Sequence, residues 1–394
     1  MVKVINISEI NDELTFYRGQ FDNYLIFIQL NKDFGHEPDN FIAYSSLIKY
    51  NPVSNSFDYY PIKATEISRN DVFPVLYYSF CNLNSNNSIT IQFRKLNCID
   101  LSDKEITSFP LDTKPDDSHD LSLWHSEIYG ISERYAIAFI PSNSPEYGYP
   151  MFSKMLLLDS QENRYYDISV QVGKSDSLLR IKNIIISQDN YQTYMVLVTG
   201  RINWDEKEEL WKHSQETYFD ELQNLIIWDA NTFIDDIIAG NEICVDHIID
   251  SCNFENAFTF FEIDGKQLRY GKANFPDKTS EIISYDFVSK EKLITKVDGV
   301  YSQISFSDNV IYGMERGELG AKVYDIINKK IIFVASANEF IEYFNNEYVF
   351  TRIWQGSNKY SFFLHYYNDN KFERLGEGRH CSFDKERELL MIFK

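Results

Sequence analysis

The sequence predicts an all-β chain assembled from repeated four-stranded antiparallel sheets. Three observations lead there. Phe (30) and Tyr (27) are abundant against 16 Gly and 10 Pro, a bias toward strand formers. Short apolar or aromatic runs recur along the chain, divided by polar turns of Asp, Asn, Ser and Lys. These runs form two alternating kinds of hairpin, so a four-stranded unit returns about every 40 to 70 residues. At 394 residues the chain has room for many such units.

Taken in order, Val2–Ser8 reads as a lone strand. Leu14–Phe21 with Tyr24–Leu30 is a first hairpin, and Ser46–Ile62 a second, outer pair. Further outer pairs fall at Ile91–Leu111, Lys154–Val170 and Leu225–Asp250, the last with a short helix at Thr232–Ala239. Ile181–Ser187 with Thr193–Thr199 is another inner hairpin. The clearest copies follow: Ile282–Thr295, Tyr301–Phe306 with Val310–Met314, Lys322–Val334, Phe340–Phe344 with Tyr348–Trp354, and Phe362–Leu375. His380–Asp384 and Glu388–Phe393 close the series.

In several outer pairs a bulky residue and then Asp or Asn ends the first strand: Tyr50-Asn51, Leu158-Asp159, Trp228-Asp229, Tyr285-Asp286 and Tyr324-Asp325. A side-chain oxygen that accepts from backbone N–H groups suits a tight turn at that point. One four-stranded sheet cannot bury both faces, so the units must pack face to face around an axis. That is a β-propeller of seven or eight four-stranded blades, with the ring closed by the two termini. Seven units fit between Leu14 and Leu375, and the three leftover strands either complete an eighth or thicken one of seven. Direct counting favours eight. The chain is read as one domain, 1–394, carrying a helical insertion at 201–224.

The bulky-residue–Asp ending resembles that of the WD-repeat and related propellers. Only Trp228-Asp229 spells the signature, and the Gly-His dipeptide of WD repeats is missing. The resemblance implies a scaffold with loops at the two ends of a channel, and no particular activity.

Charge narrows the partners. Lys and Arg number 38 against 59 Asp and Glu, a net charge of −21. Such a surface repels nucleic-acid backbones and anionic membranes, so neither is expected as a partner. No run approaches the 18 or so apolar residues of a membrane span, and the opening MVKVINISEINDELTF lacks a secretory pattern, so the expected location is the cytoplasm. The five cysteines are scattered without paired spacing, which reads as buried free thiols.

Standard catalytic motifs are missing. Gly173-Lys174-Ser175 has Ile168 where a phosphate-binding loop needs its first Gly, and His36-Glu37 is followed by Pro38. No metal site and no cofactor is expected. The longest insertions are 31–40, 141–152, 201–224 and 112–123, which the repeat places on one face, where recognition usually sits. In 201–224, Trp204, Trp211 and Tyr218 recur every seven residues, with Leu222 next, as one apolar stripe opposite an acidic face. Tyr147, Tyr149 and Trp354 offer aromatic contact, and Arg352 suits an anion or a stacking partner.

Two functions fit these features. The first is a non-catalytic protein-binding propeller, a scaffold, inhibitor or immunity-type protein, with a basic protein as partner and Trp204, Trp211, Tyr218, Tyr147, Tyr149, Arg352 and Trp354 as its binding residues. The second is a hydrolase, isomerase or lyase with a pocket at the channel mouth, acting on a small polar substrate. There Asp116, Asp117, His119 and His36 would be the catalytic groups, since carboxylates beside an imidazole can exchange protons at neutral pH.

Overall fold

The computed structural model describes residues 2–7, 15–31, 42–68, 73–83, 89–111, 127–142, 151–168, 179–189, 192–201, 222–241, 248–253, 255–264, 266–301, 303–307, 310–317, 320–357, 359–367, 371–385 and 387–394. Among these residues strands form at the apolar runs named above, and further strands that the runs did not mark lie at Glu66–Ile67, Val75–Leu83, Glu127–Gly130, Tyr135–Ser142, Asn256–Asp264 and Gln267–Asn274. They are grouped in two compact units, Leu14–Trp204 with Asn224–Ser251, and Met1–Glu13 with Asp205–Gln223 and Cys252–Lys394.

The first unit holds four antiparallel four-stranded sheets, each with its strands in sequence order. They are β2–β5 (Thr15–Phe21, Tyr24–Leu30, Tyr44–Asn51, Ser56–Ala64) and β6–β9 (Glu66–Ile67, Val75–Leu83, Ile89–Asn97, Asp103–Leu111). Then come β10–β13 (Glu127–Gly130, Tyr135–Ser142, Met151–Asp159, Arg164–Asp167) and β14–β17 (Leu179–Asp189, Gln192–Arg201, Leu222–Asp229, Ile248–Cys252). Helix α1 (Ala230–Ala239) sits between β16 and β17. It buries Phe233, Ile234 and Ile237 and ends on Gly240, whose φ of +71° is the left-handed conformation a helix stop favours.

The second unit holds β18–β21 (Asn256–Asp264, Gln267–Asn274, Thr279–Asp286, Lys292–Asp298) and β22–β25 (Gln303–Ser307, Val310–Gly317, Gly320–Asp325, Lys330–Val334). After them comes β26–β29 (Glu339–Phe344, Tyr348–Gly356, Lys359–Tyr366, Phe372–Gly378). A last, three-stranded sheet joins the two ends of the chain: β30 (His380–Asp384) pairs antiparallel with β31 (Leu389–Phe393), which pairs parallel with β1 (Lys3–Ile7). All five residues of β31 are buried. The leftover strands thus make a sheet of their own.

The expected role of Asp and Asn at the end of the third strand is seen atom by atom. Asn51 Oδ1 accepts from the N–H groups of Val53 (2.9 Å) and Ser54 (3.3 Å), and Asn97 Oδ1 from Ile99 (2.8 Å) and Asp100 (3.3 Å). Asp159 holds Gln161 and Glu162, Asp286 holds Val288 and Ser289, and Asp325 holds Asn328, all at 2.7 to 3.1 Å. Four residues beyond each, the backbone turns left-handed, at Asn55, Leu101, Asn163, Lys290 and Lys329 with φ between 52° and 61°. Asp229 uses the same oxygen differently: it accepts from Thr232 N–H at 2.8 Å and caps α1.

Burial follows strand position. The fourth strands β21 and β25 are largely exposed, whereas second and third strands supply the cores, such as Ile26, Phe27, Leu47 and Ile48 in the first sheet. Among the described residues Cys81, Cys98, Cys252 and Cys381 are buried thiols outside any disulfide. No described helix is long and apolar enough to cross a membrane.

Candidate functional site

In the second unit the first strands of four successive sheets, β18, β22, β26 and β30, line one cavity of about 400 Å³. Phe260, Phe261, Phe344 and Phe383 give it apolar walls, and Glu262, Gln303, Ser305, Glu342, Tyr343 and Lys385 bring polar groups to the same space. Such a mixture, apolar walls with a few convergent polar groups, is what ligand sites share.

A break in strand register delivers the central carboxylate. Ile341 pairs with Thr351 and Tyr343 with Phe350, so Glu342 is the extra residue of a β-bulge. An extra residue re-aims its side chain relative to the regular alternation. The same irregularity occurs in β2, β14 and β18, where Arg18, Lys182 and Thr259 are the residues passed over. Only in β26 is the residue an acid.

Glu342 is partly buried and meets Arg352 Nε at 2.7 Å. The guanidinium of Arg352 lies over the rings of Tyr360 (4.9 Å) and Phe340 (5.4 Å), which fixes the cation in place. Burial pushes the Glu342 carboxyl above its ordinary 4.5, and the charge of Arg352 only partly offsets this. Burial also raises Tyr343, with the Glu262 charge adding to it. Cys381, on the cavity wall, is pushed up to about 12 by burial and by Glu342, against the pull of Arg352. It stays a thiol at neutral pH and is a poor nucleophile. The arrangement can therefore hold a polar molecule and pass a proton through one carboxyl.

A second constellation on the same sheet is structural. Thr351 Oγ1 donates to Glu339 Oε1 at 2.7 Å, and His365 Nε2 stands 3.0 Å from both atoms. Ser336 N–H caps the other carboxylate oxygen at 3.1 Å. Burial favours the neutral acid, but His365, Ser336 and Thr351 reverse this and hold Glu339 down at about 2. His365, within β28, is thus held by its Thr351 and Glu339 partners.

Most residues singled out from sequence, namely His36, Asp116, Asp117, His119, Tyr147, Tyr149, Trp204, Trp211 and Tyr218, lie outside the described residues. The bounds of the insertion are clearer: β15 runs to Arg201 and β16 begins at Leu222, so these ends of 201–224 are strand. Arg352 and Trp354 are within β27 and not in a loop; Trp354 pairs opposite Tyr360 and is 49% exposed. Arg352 does find an anion, Glu342. The sequence reading missed Glu342 itself, although an acid inside the run Glu339–Phe344 was a legible anomaly.

No family model matches the chain, and no curated protein matches it. Solved structures do. The β-propeller domain of the trilobed protease of Pyrococcus furiosus is 12% identical, with a TM-score of 0.44, over 92% of this chain and 98% of that one. An uncharacterized protein of Listeria monocytogenes EGD-e is 14% identical, with a TM-score of 0.46, over 95% and 97%. The acylaminoacyl peptidase of Pyrococcus horikoshii is 10% identical, with a TM-score of 0.43, over 94% of this chain and 54% of that one. The chain thus spans about half the length of that peptidase, and of a second acylaminoacyl peptidase.

These neighbours correct the first functional expectation. That expectation was a non-catalytic scaffold, inhibitor or immunity-type protein, whereas these neighbours are the propeller domain of a protease and two acylaminoacyl peptidases. At such identities the likeness is one of architecture alone. The chain's own succession of four-stranded antiparallel sheets fits a β-propeller.

Proposed function

We propose that this propeller serves an enzyme, and that the cavity among β18, β22, β26 and β30 receives a small polar substrate. Glu342 is the proton-transferring group. The observation that carries this reading is a partly buried carboxyl, placed by a bulge and held at 2.7 Å from Arg352, with its pKa raised by burial. A carboxyl perturbed in this way inside a cavity is a candidate for acid–base chemistry. Ser305, Gln303 and Tyr343 orient the substrate, and the reaction is hydrolytic, isomerising or eliminating.

The three-stranded terminal sheet is read as the eighth blade. A cytoplasmic location belongs to the same reading, supported by four buried cysteines that form no disulfide among the described residues.

The test is turnover by the purified chain on a panel of chromogenic esters, glycosides and short peptide amides, with Glu342→Gln alongside. Wild type should turn over one class, and the variant should lose about 100-fold or more in kcat while keeping its circular dichroism. The pH profile should inflect above the ordinary carboxyl value of 4.5. Equal rates in the two proteins, or no turnover of any class, overturn the assignment.

A further inference from the structure

A second, larger cavity lies where the last four-stranded sheet meets the terminal one. It has a volume of about 820 Å³ and shares no lining residue with the inner-strand cavity. Its charge is opposite to that of the chain. Lys359, Arg374, Arg379 and Lys394 line it with one acidic side chain, Glu377, in a protein of net charge −21.

The cations come from separate elements that the fold holds together. Lys359 opens β28, Arg374 lies in β29, Arg379 follows it, and Lys394 follows β31. Backbone bonds fix the last two, Arg379 N–H to Phe393 C=O at 2.9 Å and Lys394 N–H to Ile7 C=O at 3.1 Å. Gly378 allows the close approach beneath: a Cβ there would stand 2.3 Å from Phe393 O. Lys359 reaches Glu377 at 2.9 Å, and Arg374 also contacts it. Both cations are more than half exposed, at 55% and 53%, so their bonds to Glu377 are of the weak surface kind that a stronger anion displaces.

We propose that this cavity binds the phosphate group of a small phosphorylated molecule. Two guanidinium forks and two ammonium groups supply the donors that phosphate oxygens accept, with Arg374 and Arg379 suited to bidentate contact. The volume leaves room for an organic moiety beyond one phosphate. Extended polyanions are disfavoured, because the acidic remainder of the surface repels them while a compact ligand meets only the basic patch.

Calorimetric titration of the full chain with pyrophosphate tests this directly. Wild type should bind one equivalent, Arg379→Gln should bind at least about tenfold more weakly, and Arg379→Lys should fall between them. Thermal unfolding of each unliganded protein separates lost binding from lost folding. An Lys359→Gln variant, altered at an exposed side chain, gives a second readout and should also weaken binding. Equal affinity in wild type and both Gln variants overturns the proposal, as does the lack of any binding up to about 10 mM. Tighter binding of a single-stranded oligonucleotide than of pyrophosphate would overturn the choice of a compact ligand.

Discussion

Asp159 illustrates how much a single turn residue can carry. Its side chain is fully buried and accepts from Arg134 Nε (2.9 Å) and a second Arg134 nitrogen (2.7 Å), besides the two turn N–H groups. Asp159→Ala should cost about 1–2 kcal/mol in urea unfolding, the lower range applying because Arg134 can be rehydrated. Glu339 predicts a pH effect. Its folded pKa of about 2 lies below the ordinary 4.5, so its contribution is fully present above the ordinary value and is lost as pH falls through about 2. Comparing wild type with Glu339→Gln, the stability difference should shrink between about pH 6 and pH 2. A constant difference would mean that the His365 and Thr351 bonds do not stabilise the ionised form.

At the scale of elements, sequence and structure agree where the signals are local. Alternation placed many of the strands, and the Asp and Asn oxygens marked the turns because their partners sit two and three residues away. Helix α1 was legible for the same reason, with its cap, apolar face and Gly stop contained in a dozen residues. The bulge at Glu342 was not legible. A register shift depends on which residues of β27 face β26, and alternation within one strand does not record it. The parallel pairing of β1 with β31 is likewise non-local. Removing residues 2–7 should unpair a wholly buried strand and expose its edge. With Ile7 only 1% exposed and Val2 9%, we expect a loss of about 3 kcal/mol or more, with aggregation at high concentration. Unchanged thermal unfolding would show that β1 adds nothing to that sheet.

At the scale of the whole molecule, charge and site are arranged differently from what composition suggests. The net charge is −21, yet a basic cavity sits within the same chain. Average charge is a property of the composition, whereas a patch depends on which strands end side by side. Glu262, Ser305, Glu342 and Lys385 stand about 40 residues apart in sequence, one on or next to the first strand of each successive sheet. The repeat spaced them; nothing in a single repeat says that they share a cavity.

By itself the sequence determined the all-β character, many of the strand pairs, the turn chemistry and the succession of four-stranded sheets, because each rests on contacts within a few tens of residues. Tertiary structure alone decided which acid stands in the cavity and where basic side chains gather. Both depend on register shifts and on strand ends brought together across the chain, whose free energy lies in packing between units of the repeat and not within any one of them.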